Sequence, residues 1–191
     1  GMAAEPLYPP PPLADRLTGG SYGDYVLFVG RLESIKRPDL AVEAMRHIQR
    51  PVRLIVVGEG TRREPVEALS HALGVADRVE FRGAVNDEEL VSLYRDALCV
   101  IYTPYDEDFG DVTLESFLAA KPVITSPDSG GPLEFVEHGV NGIICLPHAE
   151  AIAAAVNELA GHRPRAASLG AAGADRARKI SWDVVIDKLL N

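Results

Sequence analysis

Two glutamates eight positions apart, Glu107 and Glu115, are the residues of this chain whose type and spacing point most directly to chemistry. They lie in the run Y-T-P-Y-D-E-D-F-G-D-V-T-L-E, residues 102–115. An apolar strand expected over 98–103 enters an acidic loop, then Phe109-Gly110, then a helix expected to open near Asp111. The first N–H groups of a helix have no partner inside it, and the helix dipole places partial positive charge there. A strand, a glycine turn and a helix start therefore make a seat for a phosphate. Flanking carboxylates are acceptors suited to hydroxyl-rich neighbours such as a ribose or a sugar. One class of ligand carries both features, a nucleotide sugar.

Such a ligand calls for cations. Arg31 follows the strand-ending Gly30, and Lys36 comes five residues later. Two cations at a strand exit can hold a diphosphate and stabilise the charge that builds on it as it leaves; the plainer alternative is a solvated basic loop. Glu107 sits in Asp106-Glu107-Asp108, which also fits a metal-binding D-x-D. A second carboxylate eight residues on and a phosphate-type turn account for more of the run, so that alternative is set aside. Glu115 falls about one turn into its helix among Val112, Leu114, Phe117 and Leu118, where an acid needs a partner or a ligand. A ribose diol would serve. Gly58-Glu59-Gly60 lacks the third glycine of a dinucleotide fingerprint. Gly83 to Val85, after the third strand, could offer backbone groups to a base. The five histidines show no metal-ligand spacing, and no metal is assigned.

The elements that must position these residues follow from periodicity. Strands are expected over 25–30, 52–58, 78–83, 98–103, 122–126 and 142–146. Pro38 suits the first turn of a helix whose apolar face is Leu40, Ala41, Ala44, Met45 and Ile48. Thr61 and Glu64 read as a capping box, with Val66, Leu69 and Leu73 on the core side. Asn86 has Glu89 three residues on, a second cap, with Leu90, Leu93 and Tyr94 inward. Gly130-Gly131-Pro132 opens a short helix, and longer ones are expected over 150–159 and 165–179. Trp182, Val185, Ile186, Leu189 and Leu190 form a last amphipathic stripe. Apolar strands without polar alternation are covered on both faces, the mark of a parallel sheet. The expected fold is thus α/β, a doubly wound Rossmann-like parallel sheet of about six strands with helices on both faces. Ligands of such sheets bind beyond the carboxyl ends of the strands, where all the unusual residues fall.

Composition narrows the partners. The net charge is −9 and the 19 basic residues form no block, which argues against nucleic acid or an anionic membrane surface. No apolar run approaches the roughly 20 residues of a transmembrane helix, and no secretory signal is visible. Cys99 and Cys145 read as buried free thiols of a cytoplasmic protein. Residues 1–24, rich in proline and then glycine, read as a partly extended linker or tag remnant, with the folded domain over 25–191. Gly1 before Met2 reads as a tag scar and the final helix as truncated, so a fragment is expected.

Taken together, F-V-G-R-L-E-S-I-K, V-V-G-E-G, V-E-F-R-G-A-V, E-D-F-G-D-V-T-L-E, K-P-V-I-T-S and G-G-P-L-E resemble the donor-binding half of a retaining GT-B glycosyltransferase, glycosyltransferase family 4 (group 1). The resemblance implies that Arg31 and Lys36 hold the diphosphate and that Glu107 approaches the donor sugar. It implies that Glu115 holds the ribose, that Phe109 and Gly110 lead into the helix start, and that the N–H groups of Asp111, Val112 and Thr113 meet the phosphates. The segment Arg82, Gly83 to Val85 is implied around the nucleobase. The donor would be a nucleotide diphosphate sugar such as a GDP- or UDP-hexose, with no cofactor and no metal. An acceptor glycan, lipid or small molecule would bind a missing N-terminal domain, so the fragment alone is expected to bind donor weakly and transfer nothing. The whole protein is expected in the cytoplasm, with a peripheral membrane position a further possibility. Asp108, Asp111 and Ala119-Ala120-Lys121 depart from the common pattern, the last where glycine is usual. The alternatives are half of a nucleotide-sugar 2-epimerase, for which extra acid/base residues are not found, and a non-catalytic nucleotide- or sugar-binding module.

Overall fold

A computed structural model describes residues 7–190. Six parallel strands, β1 (Tyr25–Val29), β2 (Arg53–Val57), β3 (Val79–Gly83), β4 (Cys99–Ile101), β5 (Val123–Thr125) and β6 (Gly142–Ile144), form one sheet in the order β3-β2-β1-β4-β5-β6. Every neighbouring pair is parallel. Strand order reverses between β1 and β4, so the chain leaves the carboxyl ends of those two strands in opposite directions and a crevice opens there.

The apolar runs of the strands are explained by burial on both faces. Val26 and Phe28 of β1, Leu54 and Val56 of β2, and Cys99 and Ile101 of β4 join one core. The alternate residues Leu27, Ile55 and Val100 join the other. Helices α1 (Pro38–Met45), α2 (Arg63–Ala72) and α5 (Ala149–Gly161) cover the first face, while α3 (Asp87–Asp96) and α4 (Asp111–Leu118) cover the second. Helix α6 (Arg163–Ala177) contributes Ala166 and Leu169 to the first core and Ala177 to the second, with Gly173 against the ring of Phe117. Pro38 stands in the first turn of α1, and the Asn86 side chain accepts from the Glu89 N–H at 2.9 Å, as its spacing predicts.

Several local expectations are replaced. Thr61 does not cap α2, whose first residue is Arg63. Its hydroxyl instead donates to Glu33 at 2.7 Å, because a carboxylate from the first crossover reaches it. Of the linker expected at the start, residues 1–6 lie outside the described residues. The rest packs on the domain, with Leu13 and Leu17 in the second core and Gly23 donating to the Asp96 carbonyl at 3.0 Å. The last stripe, in α7 (Trp182–Leu190), buries Val185 but leaves Trp182 58% and Leu189 67% exposed. Cys99 is buried as expected, whereas Cys145 lies past β6 and is only half-buried.

Candidate functional site

The crevice at the strand reversal is a cleft of about 300 Å³ lined by Gly30, Arg31 and Lys36 from β1's exit and by Tyr102 and Glu107 to Val112 from β4's exit. Arg31, Lys36, Glu107 and the helix start at Asp111 thus come together from two crossovers, whereas Glu115 does not line the cleft. Gly110 forms the N-cap of α4 at φ 80°, and a Cβ there would lie 3.0 Å from the Tyr102 ring and 3.1 Å from Pro132. Only glycine meets both the left-handed backbone and the close approach. Asp111 and Val112 follow at the first two helical positions, where the helix itself provides no acceptor for their N–H groups, and both face the cleft.

The acidic loop is pinned by main chain on both sides. Tyr105 N–H donates to Ile35 O at 2.8 Å, tying the loop to the first crossover. Asp106 N–H donates to Asp128 O at 2.9 Å and Glu107 N–H to Ser129 O at 3.0 Å, tying it to the turn after β5. Gly130 has φ 71°, and a Cβ on it would stand 2.5 Å from the Glu107 carbonyl, so this turn also depends on glycine. Asp128 is held in its turn by Arg37 through two bonds of 3.0 and 2.7 Å, and the Arg37 guanidinium lies 5.2 Å from the Tyr105 ring. That bidentate contact draws the Asp128 pKa below the usual carboxylate range.

At the cleft floor the Glu107 carboxylate meets the Lys36 ammonium. The Tyr102 hydroxyl donates to the same oxygen at 3.1 Å. Burial lowers the Lys36 pKa from its ordinary value; the Arg31 cation acts the same way and Asp108 against it. Burial raises that of the Tyr102 phenol, with Asp111 and Glu115 adding to it, so the hydroxyl stays a donor. Arg31 is exposed at the mouth and makes no ion pair among the described residues. An anion entering the cleft would meet Arg31, Lys36 and the two N–H groups of α4, with Glu107 beside it.

Four groups of residues lie off the cleft lining. Thr113 is fully buried and its N–H is taken by Gly110 O at 2.9 Å, so it presents no free N–H to the cleft. Glu115 lies one turn further along α4 and accepts from the Tyr94 hydroxyl at 2.8 Å. Burial raises its pKa, Tyr94 opposes this, and Asp111 adds to it. Arg82 is engaged by Glu80 at 2.6 Å and Glu89 at 3.1 Å. Gly83, with its carbonyl accepting from Gly58 N–H, and the half-buried Val85 lie with it at the exit of β3, two strands from β1. Tyr94, Tyr102 and the Arg37–Asp128 pair were not singled out as site residues. The available signal was a tyrosine at the end of an apolar strand or on the inward face of a helix, and core packing explains that equally well. Among the described residues no group of three His, Cys, Asp or Glu side chains could hold a metal ion. Among the described residues no helix is long and apolar enough to cross a membrane.

The model of a family described as glycosyl transferases group 1 matches residues 21–176. An uncharacterized glycosyltransferase of Methanocaldococcus jannaschii is 35% identical over 170 residues, 87% of this chain and 43% of that protein. A D-inositol 3-phosphate glycosyltransferase of Xylanimonas cellulosilytica is 33% identical over 171 residues, 87% and 41% of the two chains. Among solved structures, Anabaena HepE in complex with UDP-glucose superposes with a TM-score of 0.80 at 25% identity, covering 88% of this chain and 48% of that one. Sucrose-phosphate synthase of Thermosynechococcus elongatus superposes with a TM-score of 0.79 at 28% identity, covering 96% and 48%. The chain therefore spans under half the length of these relatives.

Proposed function

The chain belongs to the group 1 glycosyl transferases, and on that premise we propose that it is the donor-binding domain of a retaining GT-B enzyme that moves a hexose from a nucleotide diphosphate sugar to an acceptor hydroxyl. The observation that carries this is the meeting of Arg31, Lys36, Glu107 and the amino end of α4 in one cleft at the strand reversal. The diphosphate sits over the Asp111 and Val112 N–H groups, and the two cations bind it and stabilise its charge as the sugar departs. Lys36 exchanges part of its contact with Glu107 for the phosphates. Glu107, held by Lys36 and Tyr102, faces the donor sugar as an acceptor for its hydroxyls, and catalysis comes from positioning and electrostatics. A carboxylate so engaged is a poor covalent nucleophile. Glu115 takes the ribose and the exit of β3, Arg82 to Val85, lies beside the base. The donor is UDP- or GDP-linked, and UDP-glucose in Anabaena HepE favours the first. A second domain brings the acceptor, whether glycan, lipid or small molecule, and no cofactor or metal enters this scheme.

Calorimetry with UDP, GDP and ADP tests the site. One of the three should bind, and K36M should weaken it about 10- to 100-fold, the loss of one charge-assisted bond of roughly 1.5–3 kcal/mol. No binding of any nucleoside diphosphate at millimolar concentration would remove the proposal. Candidate donors supplied to the full-length protein would separate sugar transfer from 2-epimerisation.

A further inference from the structure

Tyr94 is a buried group with a polar end that the scheme above leaves unused. It sits on α3, fully buried, with its ring in the second core. Its hydroxyl crosses to the neighbouring helix and donates to Glu115 Oε2 at 2.8 Å. Glu115 Oε1 has no partner among the described residues, and the side chain is only partly buried. The remaining neighbours of this acid in charge are Asp111 on its own helix and the neutral Tyr102 at the end of β4. No cation pairs with Glu115 among the described residues. One phenol is thus what fixes the rotation of a carboxylate that could otherwise swing.

We propose that Tyr94 is a positioning residue for the nucleotide: by binding one Glu115 oxygen it aims the other at the ribose hydroxyls. The proposal rests on Glu115 as the ribose acceptor. A flexible glutamate loses rotamer freedom on binding; one already held by Tyr94 has less to lose, so more of each hydroxyl contact appears as affinity. The hydrogen bond also opposes the burial and the Asp111 charge that raise the pKa of the acid.

The test couples a protein change to a ligand change. UDP and 2′,3′-dideoxy-UDP are titrated into wild type, Y94F and E115A by calorimetry, or the guanosine or adenosine pair if that base binds instead. Wild type should prefer the ribose ligand by about tenfold or more, the size of a hydrogen bond to a charged group. Y94F should lose most of that preference while binding the dideoxy ligand within about twofold of wild type. Equal weakening of both ligands, or an unchanged preference, would overturn the proposal. If E115A keeps the full preference, the assignment of Glu115 to the ribose fails, and the Tyr94 proposal with it. If E115A loses the preference and Y94F keeps it, only Tyr94's part is wrong. Should Y94F not fold, the wild-type Tyr94 ring-carbon resonance next to the hydroxyl must move with UDP and stay still with the dideoxy ligand; a resonance indifferent to the ribose counts against it.

Discussion

Lys121, replaced by methionine, should change how stability depends on pH. Its side chain is fully buried, with the ammonium donating to the Ser21 carbonyl and lying 4.0 Å from the Tyr22 ring. Burial brings its pKa down from 10.5 to about 8, with Asp96 and Cys99 opposing. Below about pH 8 the lysine is charged in both folded and unfolded chains, and the folded state bears the whole penalty; above about 10.5 both are neutral and the penalty is gone. Between the two the unfolded chain holds more protons, so this group makes stability rise with pH. At about 1.4 kcal/mol per pKa unit the full penalty is about 3 kcal/mol, most of which is relieved between pH 7 and 10. Cys145, raised to about 11, and Tyr25, raised to about 12, act in the opposite sense, because their unfolded forms ionise first. The comparison must therefore be a difference. Urea unfolding of wild type and K121M at pH 7, 8, 9 and 10 should show wild type gaining about 2–3 kcal/mol on the variant across that range. Parallel profiles would refute the buried cation and, with it, the docking of residues 21–22 over Lys121.

Ala120 adopts φ 54°, a left-handed backbone that favours glycine. Ala120→Gly should relieve roughly 1–2 kcal/mol of left-handed strain against about 0.5–1 of added chain entropy, a net of about 0.75 kcal/mol at mid-range that raises the calorimetric Tm by about 2–3 °C. Asn86→Ala removes the α3 cap and should cost about 1 kcal/mol, a Tm loss of about 2–4 °C; no change would show the Glu89 bond to be idle. The isolated chain given labelled UDP-glucose and acceptor mixtures should transfer no sugar, and detectable product would contradict the need for a second domain.

The amino-acid order by itself determined the sheet and most of the helices. Strands buried on both faces must be apolar at every position, and runs such as 25–29 and 98–101 carry that signature without reference to anything distant. The Asn86 cap was legible for the same reason, since donor and acceptor are three residues apart. So were Arg31, Lys36 and Glu107, because strand exits in such a sheet share one edge. Tertiary structure decided whatever depends on a partner remote along the chain. Glu33, 28 residues back, takes Thr61 from its capping box. The site's finer support is equally remote: Arg37 reaches Asp128 across 91 residues and Tyr94 reaches Glu115 across 21. Leu13 and Leu17 pack on the core although proline and glycine around them read as a linker. Nothing near Lys121 announces a buried cation, because the groups that cover it, Ser21 and Tyr22, lie about 100 residues earlier in the chain. Periodicity records which face of an element is covered; which residue covers it is settled only when the crossovers have brought distant segments together.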